Sequence, residues 1–404
     1  MSLKRLAQVP DTASGARKTP PSPPARVTVA EIHSRFFVPS ETFVYGYIAH
    51  LSRFRPVCLA RQFVNLDAFP FPSRDAFPIG DQPHTPTGLL RAVSRALAGR
   101  DPYVERILRR ERVRLLHAHF GPSGVRALMY KRGTRLPLVT TFYGHDVSAL
   151  ARDHVWRRRY SRLFEQGDLF LVEGPSLRDK LADLGCPRGK IEIQRIGIPV
   201  QEIAFRPRGP KPAGAKAVAL FSGRFVEKKG LLVALAACAA TRRRTQAFEF
   251  RIVGDGPLRA EVETAIERLD LKSCVKLLGF LGYREYLKEM AAADFFLHPS
   301  LTASDGDSEG GAPTTILEAQ AAGLPILSTT HADIPNVVLP GKSALLAPEG
   351  DVTALAEHVA LLVTEQERWQ AMGAAGRQFV EEHHDIRREA QSLEDRYERL
   401  VRPA

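Results

Sequence analysis

From residue 26 onward, short runs of aliphatic residues alternate with longer segments in which apolar side chains return every three or four positions. An uninterrupted apolar run of four to six residues is the pattern of a strand covered on both faces, and the longer period is that of a helix packed by one side. The runs predict strands at 26–30, 57–60, 115–118, 138–141, 169–172 and 191–194, with helices between them. Proline and glycine then crowd into 207–216 (PRGPKPAGAK), which reads as a linker. The alternation resumes with strands at 218–222, 248–253, 275–278, 295–299 and 326–329. A helix at 352–363 and a charged amphipathic run at 386–401 close the chain. This order predicts an α/β protein of two doubly wound, Rossmann-like halves, 26–206 and 217–380, followed by a C-terminal helix within 381–404.

Length agrees, because 404 residues exceed what one core accommodates. Residues 1–25 are basic, lack an apolar stretch and contain TPPSPPAR, so they read as a disordered leader and not a signal peptide. No apolar run reaches the ~18 residues that would span a bilayer. The four cysteines, Cys58, Cys186, Cys238 and Cys274, lack the spacing of a disulfide framework or a zinc site, and a reducing cytoplasm fits them.

Charge is divided unevenly. Residues 1–200 hold 32 Lys and Arg against 17 Asp and Glu, a net of +15, so the first half supplies the whole formal charge of +12. The cations gather in 91–114, which reads as two helices with apolar stripes (Leu89, Leu90, Val93, Leu97; then Val104, Ile107, Leu108), and again at Arg157, Arg158 and Arg159. Helices of this kind lie on anionic lipid or present a solvated face. Nucleic acid is disfavoured, since no zinc-finger, helix-turn-helix or RNA-binding aromatic pattern accompanies the charge.

The candidate chemistry sits in 308–330, SEGGAPTTILEAQAAGLPILSTT. It follows the strand at 295–299, brings Gly310 and Gly311 where backbone must approach closely, and starts a helix around Pro313, Thr314 and Thr315 that stops at Gly323 before Pro325. Free N–H groups at that helix start suit a diphosphate. Glu318, one turn on, suits a ribose diol, and Glu309 in the loop would face whatever the phosphate carries. Upstream, FSGRFVEKKG (221–230) places Gly223, Arg224 and Lys229 after another strand; an arginine fork and a lysine are the pair that a leaving nucleoside diphosphate needs. The alternative for each segment is a solvated turn, and Lys228 is read in that way.

Together these segments resemble the retaining GT-B glycosyltransferases typified by bacterial exopolysaccharide and lipopolysaccharide enzymes, the glycosyltransferase group 1, colanic-acid-type family. The resemblance extends through PSETFV (39–44), HAHFG (117–121), TFYGHD (141–146), GCPRGKIEI (185–193), IVGDGPL (252–258) and EGGAPTTILEAQAAGLPI (309–326). It implies an N-terminal acceptor domain, a C-terminal nucleotide-sugar domain, and a last helix that returns to brace the first. The donor would be a UDP- or GDP-sugar, with Arg224 and Lys229 on the diphosphate, Glu318 on the ribose and Glu309 on the sugar. It also implies no cofactor and no metal. Transfer would retain configuration by front-face displacement, the departing diphosphate helping to deprotonate the acceptor.

The chain departs from the family pattern at three places. Glu309 and Glu318 have eight residues between them, one more than usual. Tyr143 stands where the family has His, with His145 two residues later. Pro199 occupies the place of an interdomain Asp. His33, Glu41, His119, Tyr143, His145 and Asp146 fall at strand ends facing the cleft and are the acceptor-side candidates, with Asp146 or His145 orienting the acceptor hydroxyl. Asp305-Gly306-Asp307 reads as a turn, and Gly341-Lys342-Ser343 lacks the upstream glycine of a phosphate loop. The acceptor expected is a lipid-linked saccharide, met at the inner face of the cytoplasmic membrane. The other reading is a non-catalytic nucleotide-sugar-binding or scaffolding subunit.

Overall fold

The computed structural model describes residues 26–80, 85–245, 247–311 and 313–402; the expected leader at 1–25 lies outside them. The first half holds strands β1 (Val27–Phe36), β2 (Phe54–Phe63), β3 (Ala76–Pro78), β4 (Val113–His119), β5 (Leu138–Phe142), β6 (Leu169–Val172) and β7 (Ile191–Ile193). Its helices are α1 (Thr42–His50), α2 (Pro86–Ala98), α3 (Pro102–Arg110), α4 (Gly121–Thr134), α5 (His154–Gln166) and α6 (Pro175–Asp183). All strands pair in parallel in the order β3-β2-β1-β4-β5-β6-β7. The reversal beside β1 is where a doubly wound sheet opens a crevice at its carboxyl edge.

The second half repeats the plan with β8 (Ala217–Ser222), β9 (Phe248–Val253), β10 (Val275–Gly279), β11 (Phe295–Leu297), β12 (Ile326–Thr329) and β13 (Ala344–Ala347), ordered β10-β9-β8-β11-β12-β13. Helices α7 (Leu231–Arg242), α8 (Arg259–Arg268), α9 (Tyr283–Ala292), α10 (Thr314–Ala321), α11 (Val352–Thr364) and α12 (Arg368–His383) flank it. Every residue of β6 (LFLV) and of β8 (AVALFS) is buried, as strands covered on both faces require.

β1 and β2 outrun the strands read from sequence. Glu31 and His33 interrupt the apolar pattern of β1, yet both are buried: Glu31 pairs with His119, and His33 pairs through Nε2 with Glu41 while its Nδ1 has no partner among the described residues. β3 and β13 were not anticipated: each is a short edge strand of three or four residues, too brief to show a period.

After α12, the chain pairs Ile198 with Asp385 and enters α13 (Ile386–Val401), which lies on the first sheet. Ile386, Ala390, Leu393 and Tyr397 form one stripe, buried against Val29, Leu115, Val139 and Leu171. Beside it the fully buried Glu394 accepts the backbone N–H groups of Ser52 (2.7 Å), Arg53 (2.6 Å) and Phe54 (3.1 Å).

Candidate active site

The carboxyl edges of both sheets border a single cleft of about 1710 Å³. On the second domain, β8 runs into Gly223 and Arg224. The Arg224 side chain is exposed, lines the cleft and has no hydrogen bond or ion pair among the described residues. Beside it on the same domain runs the loop from β11 to α10. Pro313 precedes α10, which has no side-chain N-cap among the described residues, so the N–H groups at Thr314 and Thr315 lack such a partner there; the Thr315 hydroxyl is buried and has no partner among them either. Glu318 faces the same cleft. Tyr286 donates to its Oε2 (3.0 Å), and Oε1 has no partner among the described residues. Burial pushes this carboxyl up to about 7, against the Tyr286 hydrogen bond.

Glu309 titrates the other way. Burial raises it, but the Lys229 and Lys228 charges prevail and hold it at about 2. Its Oε1 takes the Lys229 ammonium at 2.8 Å and the Ser300 hydroxyl at 3.0 Å, leaving Oε2 without a partner among the described residues. Lys228 corrects the sequence reading: it is buried, donating to the Ser308 carbonyl (3.2 Å) and pairing with Asp307 (3.0 Å).

Gly310 and Gly311 also differ from expectation in what approaches them. A Cβ on Gly310 would overlap the Tyr143 carbonyl, and one on Gly144 (φ 126°) would overlap Gly310. A Cβ on Gly311 would strike the Glu173 carboxyl. The glycines therefore seat the two domains against each other. Asp333 strengthens that seam by accepting the Ser176 (2.8 Å) and Leu177 (3.1 Å) N–H groups at the start of α6. Asp307, read as part of a turn, reaches His145 Nδ1 across the same seam at 3.3 Å. Glu173 sits between these groups. Burial drives its carboxyl well above the usual range, the Gly311 N–H opposes, and the charges of Asp333, Asp146 and Glu309 add to the rise.

On the first domain, His33, Glu41, Tyr143, His145 and Asp146 border the cleft. His33 stacks on Phe120 and meets Glu41 at 3.0 Å. His145 is exposed at the rim. Asp146 lines the cleft and also fixes its own loop, its two oxygens accepting the N–H groups of Gly121 (2.9 Å), Tyr143 (3.1 Å) and Gly144 (2.9 Å). His119 is corrected too, since it is buried behind the cleft wall. Its Nδ1 meets the Tyr143 hydroxyl (2.8 Å) and its Nε2 meets Glu31 (2.9 Å).

Burial and the neighbouring His117 lower His119 to about 4, so it is neutral. A neutral ring that donates from Nε2 to Glu31 accepts the Tyr143 O–H at Nδ1. Glu31 also meets His117 (3.1 Å) and Tyr397 of α13 (3.3 Å). Although Glu31, His117 and His119 form the one grouping among the described residues close enough to hold a metal ion, their hydrogen bonds are complete within the protein.

Sequence reasoning missed Tyr286, Glu173 and Glu31. Only Glu173 left a trace, directly after a buried strand, at the edge where α/β proteins bind ligands.

The chain matches the family Glycosyl transferases group 1 over residues 204–379 and Glycosyltransferase Family 4 over 40–202. It is 40% identical over 247 residues to the amylovoran biosynthesis glycosyltransferase AmsK of Erwinia amylovora, covering 59% of this chain and 58% of that one. It is 38% identical over 245 residues to WcaL of Escherichia coli (strain K12), assigned to colanic acid biosynthesis as a glycosyltransferase, covering 60% of each. The chain thus spans about 60% of the length of these curated relatives. Among solved structures, Anabaena Alr3699/HepE in complex with UDP and glucose superposes with a TM-score of 0.75 at 17% identity, over 93% of this chain and 100% of that one.

Proposed function

The chain belongs to the group 1 glycosyltransferases and has the GT-B fold, and from that premise we propose that it transfers a sugar from a UDP- or GDP-sugar to a saccharide acceptor in cell-surface polysaccharide biosynthesis. The observation that carries this reading is the convergence on one cleft of an unpaired guanidinium, an open helix start and a carboxylate with one free oxygen.

Arg224 and the start of α10 hold the diphosphate, and Glu318 Oε1 accepts from the ribose. Lys229 bridges diphosphate and Glu309, while Glu309 Oε2 is left for a hydroxyl of the transferred sugar. These charges stabilise the leaving group as its bond to the anomeric carbon breaks. The departing phosphate oxygen takes the acceptor's proton and the acceptor oxygen bonds to the same face, so configuration is retained without a protein base. Asp146 serves by holding the Tyr143–Gly144 loop, with His145 at the acceptor's rim. The acceptor is lipid-linked and reached from the inner face of the cytoplasmic membrane; no helix among the described residues is long and apolar enough to cross a bilayer.

Arg224→Ala and Glu318→Ala are each expected to lower turnover about a hundredfold or more, read as nucleoside diphosphate released from UDP- and GDP-sugars. Near-wild-type rates in both would overturn the site assignment. A second reading, a nucleotide-sugar-binding subunit without turnover, draws on the engagement of Glu309 by Lys229 and on Tyr143 in the place of the family's histidine. Donor binding with no product from any acceptor would establish it.

A further inference from the structure

Helix α2 is amphipathic but mounted inside out. Among the described residues its apolar stripe covers nothing: Leu89 is 63% exposed, Leu90 68%, Val93 46% and Leu97 84%, and none of the four belongs to a hydrophobic core. Its polar side faces the protein. Arg91 is buried and forks onto Asp101 (Nε to Oδ1 3.1 Å, Nη2 to Oδ2 2.9 Å), and it donates to the Ile79 and Gly80 carbonyls at 3.2 Å. Nor is the helix frayed. The Thr85 hydroxyl caps Gly88, Pro86 opens the first turn and Gly99 closes the last in the left-handed region. A well-formed helix that turns Arg91 and Arg95 to the fold and shows four aliphatics to the outside carries the kind of exposed apolar patch that marks an interaction site.

The surrounding charge states what that partner is. Within 85–114 the carboxylates face inward: Asp101 and Glu105 are buried on arginines, and Glu111 is half-buried on Arg55 and Arg110. Arg106, Arg112 and Arg114 are exposed and have no ion pair among the described residues, and Tyr103 is 42% exposed under the Arg91 guanidinium. Aliphatics, an interfacial tyrosine and cations without exposed anions complement an anionic bilayer. They repel a second copy of the same surface, and a nucleic acid offers no apolar depth to the leucines.

We infer that the α2–α3 hairpin docks this protein on an anionic phospholipid surface, with the α2 leucines inserted among the acyl chains. Arg91 ties α2 to Ile79, which lines the cleft, so docking brings the cleft mouth to the bilayer. This names the surface that would present the lipid-linked acceptor, and to that extent rests on the reading above.

The test is co-sedimentation of the full chain with phosphatidylglycerol-containing vesicles and with pure phosphatidylcholine vesicles, for the wild type and for Leu90→Ser with Leu97→Ser. These side chains make no core contact, so the variant keeps its fold. Wild type is expected to bind the anionic vesicles and not the neutral ones, and the variant to bind about a hundredfold more weakly. Thermal stabilisation by nucleoside diphosphate is expected to be the same in both. No vesicle binding by wild type, or equal binding by the variant, overturns the inference. So does a concentration-dependent dimer abolished by the substitutions, which would make a second copy the occupant. If the nucleotide still stabilises the protein in those cases, the transferase reading stands and only the docking surface falls.

Discussion

Glu309 and Glu318 share one loop-helix unit, yet their environments drive them to opposite ends of the carboxylate range. Glu309 has a lysine at 2.8 Å and stays ionised; Glu318 has only a tyrosine and the apolar floor, and rises to about 7. Folded, Glu318 keeps its proton up to about 7, whereas an unfolded glutamate gives it up near 4.5. The native state binds the extra proton between those values, so this residue's contribution makes the protein less stable as pH rises through that window. Glu318→Gln is expected to flatten that part of the stability profile. A ribose diol prefers the ionised form, so UDP or GDP affinity by calorimetry is expected to rise between pH 6 and 8 in wild type more than in Glu318→Gln; parallel profiles would remove Glu318 from the site. That Arg224, Lys229 and Glu318 would line the cleft was legible in sequence because each sits in a local strand-loop or helix-start context. The burial of Lys228 and the occupation of Asp146 were not, since both depend on segments far away in the chain.

Secondary elements were legible where an apolar run or a clear period marks them, and the strand ends were not. The strands β5, β6, β8, β9 and β12 stand close to where continuous apolar runs put them, while β3 and β13 are edge pieces that leave no pattern. The stripe on α2 was visible in sequence, but periodicity carries no information about which side of a helix meets the protein. For α13 the packing is explicit and so is its cost. Leu393→Ala removes a buried side chain from the stripe against the first sheet and is expected to cost about 2–5 kcal/mol in denaturant unfolding. Glu394→Ala strands three backbone N–H groups and is expected to destabilise by at least as much. A change under about 0.5 kcal/mol in both would mean that α13 does not brace the first domain.

At the scale of the whole molecule, the two domains meet along a seam that accepts no side chain at Gly144 and Gly310. Gly310→Ala is expected to leave each domain folded while widening the cleft, read as a larger radius of gyration in solution scattering and a fall in turnover; an unchanged radius with normal turnover would show that the seam yields freely. The central claim, however, is that the second domain's cleft wall is a nucleoside-diphosphate site. The measurement that meets it most directly is thermal stability of the purified chain with UDP, GDP, ADP, CMP and no ligand, for wild type and Arg224→Ala. A diphosphate at a hundred times its dissociation constant stabilises the native state by about 2.7 kcal/mol. The account predicts a selective rise with UDP or GDP that Arg224→Ala abolishes; no rise with any nucleotide, or an equal rise in the variant, would contradict it.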